Sequence, residues 1–246
     1  MRRMFMVSML YLTAVMALVA AQDQRPKGVP FYTWVREDTF GGFLADDMTR
    51  FERGMAKAQQ YFDEDPTNMD ALNWIGAGTL YRAARAFKAG DHAKGDALFA
   101  DAMAKMDKAA AAAPANIGIH ATAGGTILVF ASSLPDRHYK PALERAREHY
   151  AVLLKMQEAQ LDRFPPHFKG ETYAGVAETE FRIGDRQKAT VYLDKLIAGM
   201  PGTRYAQIAE TWRKSPETVT KADKLACQSC HEPGRLGPWM KANPQQ

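Results

Sequence analysis

The residues whose types and spacing could do chemistry lie near the carboxyl end, in Cys227-Gln228-Ser229-Cys230-His231. Two thiols three positions apart occupy neighbouring places on a helical turn. Their sulfurs can reach the two vinyl groups on one edge of a porphyrin and form thioethers. The next residue then falls under the iron, where an imidazole can bind it. The spacing therefore predicts one covalent haem c, with Cys227 and Cys230 as anchors and His231 as the proximal iron ligand. Three other chemistries use parts of the same set. A redox dithiol expects a βαβ context, which this chain lacks. Structural zinc needs a fourth ligand beside Cys227, Cys230 and His231, and there is no second CxxC. A plain disulfide would join Cys227 to Cys230.

The opposite face of such a haem needs its own ligand or an open position. Met240 follows His231 by nine residues. An extended stretch of that length reaches about 30 Å, enough to wrap round the ring edge, and a thioether there suits electron transfer. Met240 is the candidate distal ligand, with simple packing of its side chain as the alternative. His92, His120, His138, His149 and His167 read as surface or packing residues, and His167, in a loop before the last repeat, is the nearest of them to a ligand. An open site would favour gas or peroxide chemistry, which also needs a distal acid–base group that the sequence does not place.

The elements that position the motif read as helical. Ser215-Pro216-Glu217 is a helix start, with Ser as cap and Pro in the first turn. That helix is expected to run through Val219, Ala222, Leu225 and Ala226 into the cysteines and to stop at Glu232-Pro233-Gly234. Residues 214–246 thus form a haem-attachment helix and tail. Residues 46–213 carry apolar positions at helical spacing, as in the stripe Leu143, Ala146, Tyr150, Leu153 and Leu154. Breaks recur at Asp65-Pro66-Thr67-Asn68, Ala89-Gly90-Asp91, Ala113-Pro114-Ala115-Asn116, Leu134-Pro135-Asp136, Phe164-Pro165-Pro166, Ile183-Gly184-Asp185 and Met200-Pro201-Gly202. Gly and Pro stop helices, and Asp or Asn restart them. The string reads as antiparallel helix pairs. Residues 22–45, rich in Gly, Pro and aromatics, read as an irregular lead-in that packs on the first helices.

Residues 170–203 resemble a tetratricopeptide repeat. Tyr173, Val176 and Ala177 stand where that repeat places its large, medium and small first-helix residues. Gly184-Asp185 makes the turn, Ala189, Leu193 and Leu196 line the second helix, and Pro201 closes the unit. A longer unit runs through Trp74, Gly78, Tyr81, Gly90-Asp91, Phe99, Ala102 and Pro114, while 46–66 and 115–165 fit loosely. Small residues at Gly78, Ala177 and Ala189 would let helices approach closely. The resemblance implies an all-α fold: a tetratricopeptide-like, right-handed α-solenoid with a haem-binding tail, whose concave face could hold a peptide or protein. An irregular helical bundle is the alternative. The motif also resembles that of c-type cytochromes. Class I domains carry it near their amino end, but only fifteen residues follow His231 here. Class II cytochromes carry it near the carboxyl end on a helix that continues, whereas Pro233-Gly234 breaks this one. The chain looks more like a helical-repeat protein with a haem tail. A tail this short needs cover from the last repeats, at Tyr205, Ile208 and Trp212, or from a partner.

The other end of the chain concerns location. Met1-Arg2-Arg3, an apolar stretch from Met4 to Val19 and small residues at Val19-Ala20-Ala21 form a secretory signal over residues 1–21. It implies export to the periplasm, where covalent haem attachment takes place in bacteria. An uncleaved membrane anchor is the alternative. No later segment approaches a membrane span. The net charge of +4 is small and scattered, without the dense basic tract that grips phosphates, so nucleic acid is not an expected partner. Two cysteines are too few for a disulfide scaffold. No Ser/His/Asp order, P-loop or dinucleotide glycine motif appears, so hydrolase and transferase chemistry is not expected. The expected function is electron transfer to or within a partner complex by a monohaem cytochrome, an electron carrier or binding scaffold ahead of an enzyme. The alternatives are a non-redox repeat adaptor whose motif binds zinc or is vestigial, and an open-site haem enzyme such as a peroxidase.

Overall fold

The computed structural model describes residues 31–227, the side chains of residues 31–34 and of Leu44 apart. The expected export signal at 1–21, Cys230, His231, Met240 and the rest of the tail lie outside the described residues. Within them the chain is all-α. Nine helices follow one another: α1 Phe31–Leu44, α2 Met48–Glu64, α3 Met69–Lys88, α4 His92–Ala112, α5 Ile117–Ala131, α6 Asp136–Gln157, α7 Pro166–Ile183, α8 Arg186–Gly199 and α9 Arg204–Lys214. Short 3-10 turns occupy Glu158–Arg163 and Pro216–Thr218. No strand occurs among the described residues, and none of their helices is long and apolar enough to cross a membrane.

The helix boundaries fall at the breaks read from the sequence, for a local reason. The side chains of Asp47, Asn68, Asp91, Asn116, Asp185 and Thr203 each accept a backbone N–H two or three residues on, satisfying donors the helix leaves orphaned. Gly184 ends α7 at φ 105°, a conformation that costs glycine little and other residues more.

Packing divides the helices into two kinds. On α3, α5 and α7 most residues are buried. On α4 only one stripe is buried, namely Gly95, Phe99, Ala102, Met106 and Ala109. Each helix packs on its chain neighbour, and α3 also packs on α5, and α5 on α7. Small residues set the spacing. A Cβ at Gly78 would stand 2.0 Å from the Met55 sulfur, and one at Gly76 would stand 2.8 Å from Met106 Cγ. A large apolar core running from Val35 to Ala226 results, with a small separate cluster at Leu72, Ala109 and Ile119.

Two sequence expectations are corrected here. The lead-in at 22–45 was expected to be irregular, but residues 31–44 of it are the helix α1. Gly41 and Gly42 are contact points there and not breaks. A Cβ at Gly42 would meet Phe51 N at 2.4 Å, and one at Gly41 would meet the Arg50 guanidinium at 2.4 Å. Phe40 then packs edge-on against Trp74, and Phe43 packs edge-on against Phe130 and tilted against Tyr81, so tertiary packing outweighs poor helix propensity. The second correction concerns the expected haem helix. After the 3-10 turn at Pro216–Thr218 the chain does not continue as a helix but crosses α5 and α7 as a non-helical strap, residues 219–227.

Candidate functional site

The strap delivers the first cysteine of the motif, and every turn of it is held. Lys221 Nζ bonds Asp136 at the start of α6 at 2.7 Å. Arg182 of α7 donates to the carbonyl of Thr220 at 3.4 Å and to that of Asp223. Lys224 Nζ donates to the Leu128 carbonyl at 2.6 Å, in the last turn of α5 where carbonyls lack helical partners. Leu225 and Ala226 are buried in the core.

The backbone of the strap ends on two carboxylates of α7. Oε2 of Glu178 accepts from Leu225 N–H at 2.7 Å and from Ala226 N–H at 3.0 Å. Its Oε1 accepts from Arg182 Nε at 2.9 Å. The Glu178 side chain is 0% exposed and that of Arg182 is 4% exposed, so a buried ion pair also serves as an acceptor for main chain. Two turns earlier on the same face of α7, Glu171 accepts from Cys227 N–H at 2.9 and 3.1 Å. Glu171 in turn accepts from the Tyr205 hydroxyl of α9, and His167 Nδ1 lies 3.4 Å from that hydroxyl. A hydrogen bond to a charged acceptor contributes about 1.5–3 kcal/mol, so these bonds outweigh the i→i−4 pattern expected of a helix. This is the physical reason the predicted haem helix does not form: the N–H groups of residues 225–227 are spent on side chains. Cys227 itself stands at φ 61°.

Cys227 is a free thiol. Its sulfur sits 3.6 Å from where a Cβ on Gly125 would stand. Tyr150 of α6 reaches between α5 and α7 through the gap left by Gly124, Gly125 and Gly175, and its hydroxyl end lies beside the same spot. Burial first, then the charge of Glu171 and the hydrogen bond to it, push the Cys227 thiol well up. Burial, then Cys227, Glu171 and Glu178, do the same to Tyr150. Both groups are neutral at pH 7. Burial lowers Lys224, with Glu178 opposing.

The remaining sequence candidates divide plainly. His167 is half-buried and joins the Cys227 neighbourhood through Tyr205 and Glu171. Burial lowers its pKa. His120 and His149 form a buried pair with Nδ1 to Nδ1 at 3.0 Å, and His120 Nε2 lies 3.1 Å from the Pro114 carbonyl. His138 stacks on Phe99 and meets Asp96 at 2.6 Å, a packing role. Of the three residues expected to cover a tail haem, Trp212 is already covered by Phe181 and Arg182, Ile208 is partly buried against the core, and Tyr205 donates to Glu171, the acceptor of the Cys227 N–H. Among the described residues no group of three or more His, Cys, Asp or Glu is placed to hold a metal ion. Sequence reading missed Glu171, Glu178, Arg182 and Lys224. Glu171 and Glu178, seven apart and so on one helical face with small Ala174 and Gly175 between them, were the signal that could have found them.

Three comparisons accompany this geometry: no family model matches the chain, no curated protein matches it, and no solved structure matches it.

Proposed function

We propose that the chain is an exported, periplasmic monohaem c-type cytochrome on a tetratricopeptide-like, right-handed α-solenoid, and that it transfers electrons to or within a partner complex. The observation that carries this reading is the sequence Cys227-Gln228-Ser229-Cys230-His231. Pairing of α3 with α4, α5 with α6 and α7 with α8, with α3 on α5 and α5 on α7, supports the repeat reading. The donor chemistry fits a covalent haem. The Cys227 sulfur sits against Gly125, with the Tyr150 hydroxyl beside it. In this reading Cys227 and Cys230 hold the porphyrin edge, His231 is the proximal ligand and Met240 the distal candidate. A haem so bound supplies reversible one-electron chemistry. The chain's own residues contribute position and a dry setting. Glu178 and Glu171 fix the main chain that leads to Cys227, and Leu225 and Ala226 are buried in the core just before it.

The test is expression of the full chain with the haem-attachment machinery, followed by a denaturing gel. A covalently coloured band and two thiols closed to alkylation are expected. A colourless protein with both thiols open would sink the reading and leave the repeat adaptor. If the absorption spectrum of the haem-loaded chain is the same in Met240→Ala, Met240 is no ligand.

A further inference from the structure

We infer that residues 219–227 are an intramolecular ligand of the surface formed by α5 and α7, and that Glu178 is the residue that latches them there and so positions the motif. The observations are independent of one another. Carbonyls of the strap are taken by Arg182, its amides by Glu178 and Glu171, and its side chains by Asp136 and the Leu128 carbonyl. An extended peptide bound to another protein would use the same kinds of contact: main-chain bonds for affinity and a buried side chain, here Leu225, for register. Glu178 is the centre of the set because it alone joins the strap amides to the buried guanidinium that holds the strap carbonyls. Its neighbour Glu180 makes the contrast. That carboxylate is as deeply buried on the same helix, yet it bonds Arg147 and Lys188 and touches no part of the strap. It follows that a stretch of the α5–α7 surface is already filled by the chain itself and is closed to a partner peptide while the latch holds.

The latch rests on the cytochrome reading only in what it positions, and its test runs on the haem-free chain. The full chain carrying Cys230→Ser leaves Cys227 as the one reporter. Its alkylation by iodoacetamide under native conditions is compared with the rate in denaturant, alongside thermal unfolding. With the latch intact, Cys227 should react at least about 100-fold more slowly than when unfolded, because reaction needs local opening. Glu178→Gln should raise the native rate about tenfold, since charge-assisted bonds are roughly twice as strong as neutral ones. Ala226→Pro, which removes one donated N–H and leaves the ion pair intact, should do the same and carries the test if Glu178→Gln fails to fold. Glu180→Gln should lower the melting temperature and leave the rate unchanged. Rates within twofold of the parent in folded Glu178→Gln and Ala226→Pro would overturn the latch. So would an equal rise in Glu180→Gln. On the haem-loaded chain, Glu178→Gln should shift the midpoint potential, and an unmoved potential would count against a positioning role. Absence of haem would refute the cytochrome reading alone, while the alkylation rates still judge the latch.

Discussion

Gly175 is the position where a single methyl group should have the largest effect on the setting of Cys227. A Cβ built there stands 2.0 Å from Cε1 and Cζ of Tyr150 and 2.4 Å from its hydroxyl oxygen. Ordinary carbon contacts are about 3.5–4.0 Å, so the ring would have to retreat by roughly 1.5 Å. It has nowhere to go. On its other side only the space of the methyl that Gly124 lacks is left, since an ideal Cβ there would stand 3.1 Å from Cε2, and the ring is rigid and buried. Gly175→Ala therefore overpacks the junction of α5, α6 and α7, at a cost of about 1–3 kcal/mol. For a chain of this size that corresponds to a fall in Tm of roughly 2–12 °C. Thermal unfolding followed by circular dichroism measures it. The decisive comparison is the same substitution in a Tyr150→Leu background, where the clash is gone and Gly175→Ala should cost little. Contacting residues show such coupling, and distant ones add within about 0.5 kcal/mol. Equal cost in both backgrounds would refute the reasoning, as would a Gly175→Ala chain as stable as its parent.

Other predictions concern charge and backbone. Burial first, then His120, hold His149 down to about 4 against an ordinary value of 6.5. The unfolded chain takes that proton as pH falls through 6.5, whereas the folded chain resists it until about 4. Stability is thus full above pH 6.5 and declines between 6.5 and 4, by up to about 3 kcal/mol from this group. Urea midpoints at several pH values should show a shallower decline in His149→Phe, and an unchanged pH profile would refute it. Burial would raise the Asp38 carboxyl, but bonds from Arg53 and Lys57 outweigh it and hold the group at about 2. Its contribution is present above pH 4 and lost toward pH 2, and Asp38→Ala should cost about 1–3 kcal/mol at neutral pH by loosening α1 from α2. A variant as stable as the parent at pH 7 would contradict this. Gly184→Ala, at φ 105°, should cost about 1 kcal/mol or more, read from the same melting curves, and no change would show that the turn relaxes freely.

Much of the fold is legible in single residues. The turns at Asp65-Pro66, Gly90-Asp91 and Gly184-Asp185 lie where the sequence places them, because caps and positive-φ glycines are local chemistry. Gly78 as a close-approach residue follows the same logic, since helical spacing alone puts small residues opposite large ones. Gly41 and Gly42 mislead, because a glycine that ends a helix and one that lets another helix touch it look alike in sequence. The difference is the Phe51 backbone at 2.4 Å, which belongs to another element.

The candidate site divides in the same way. Types and spacing alone determined the CxxCH pattern, the all-helical class and the helix breaks from residue 65 onward. These depend on neighbours within a few residues, where backbone hydrogen bonding and side-chain period act. Only the tertiary structure decided that residues 219–227 leave the helical state, that Glu178 and Glu171 take their amides, and that Cys227 is partly buried beside Tyr150. Those outcomes turn on partners 47 and 48 residues away for the Glu178 bonds and 56 for the Glu171 bonds. A buried carboxylate with two main-chain donors in reach outcompetes a local helix, and no pattern within the strap itself records that the carboxylate is there.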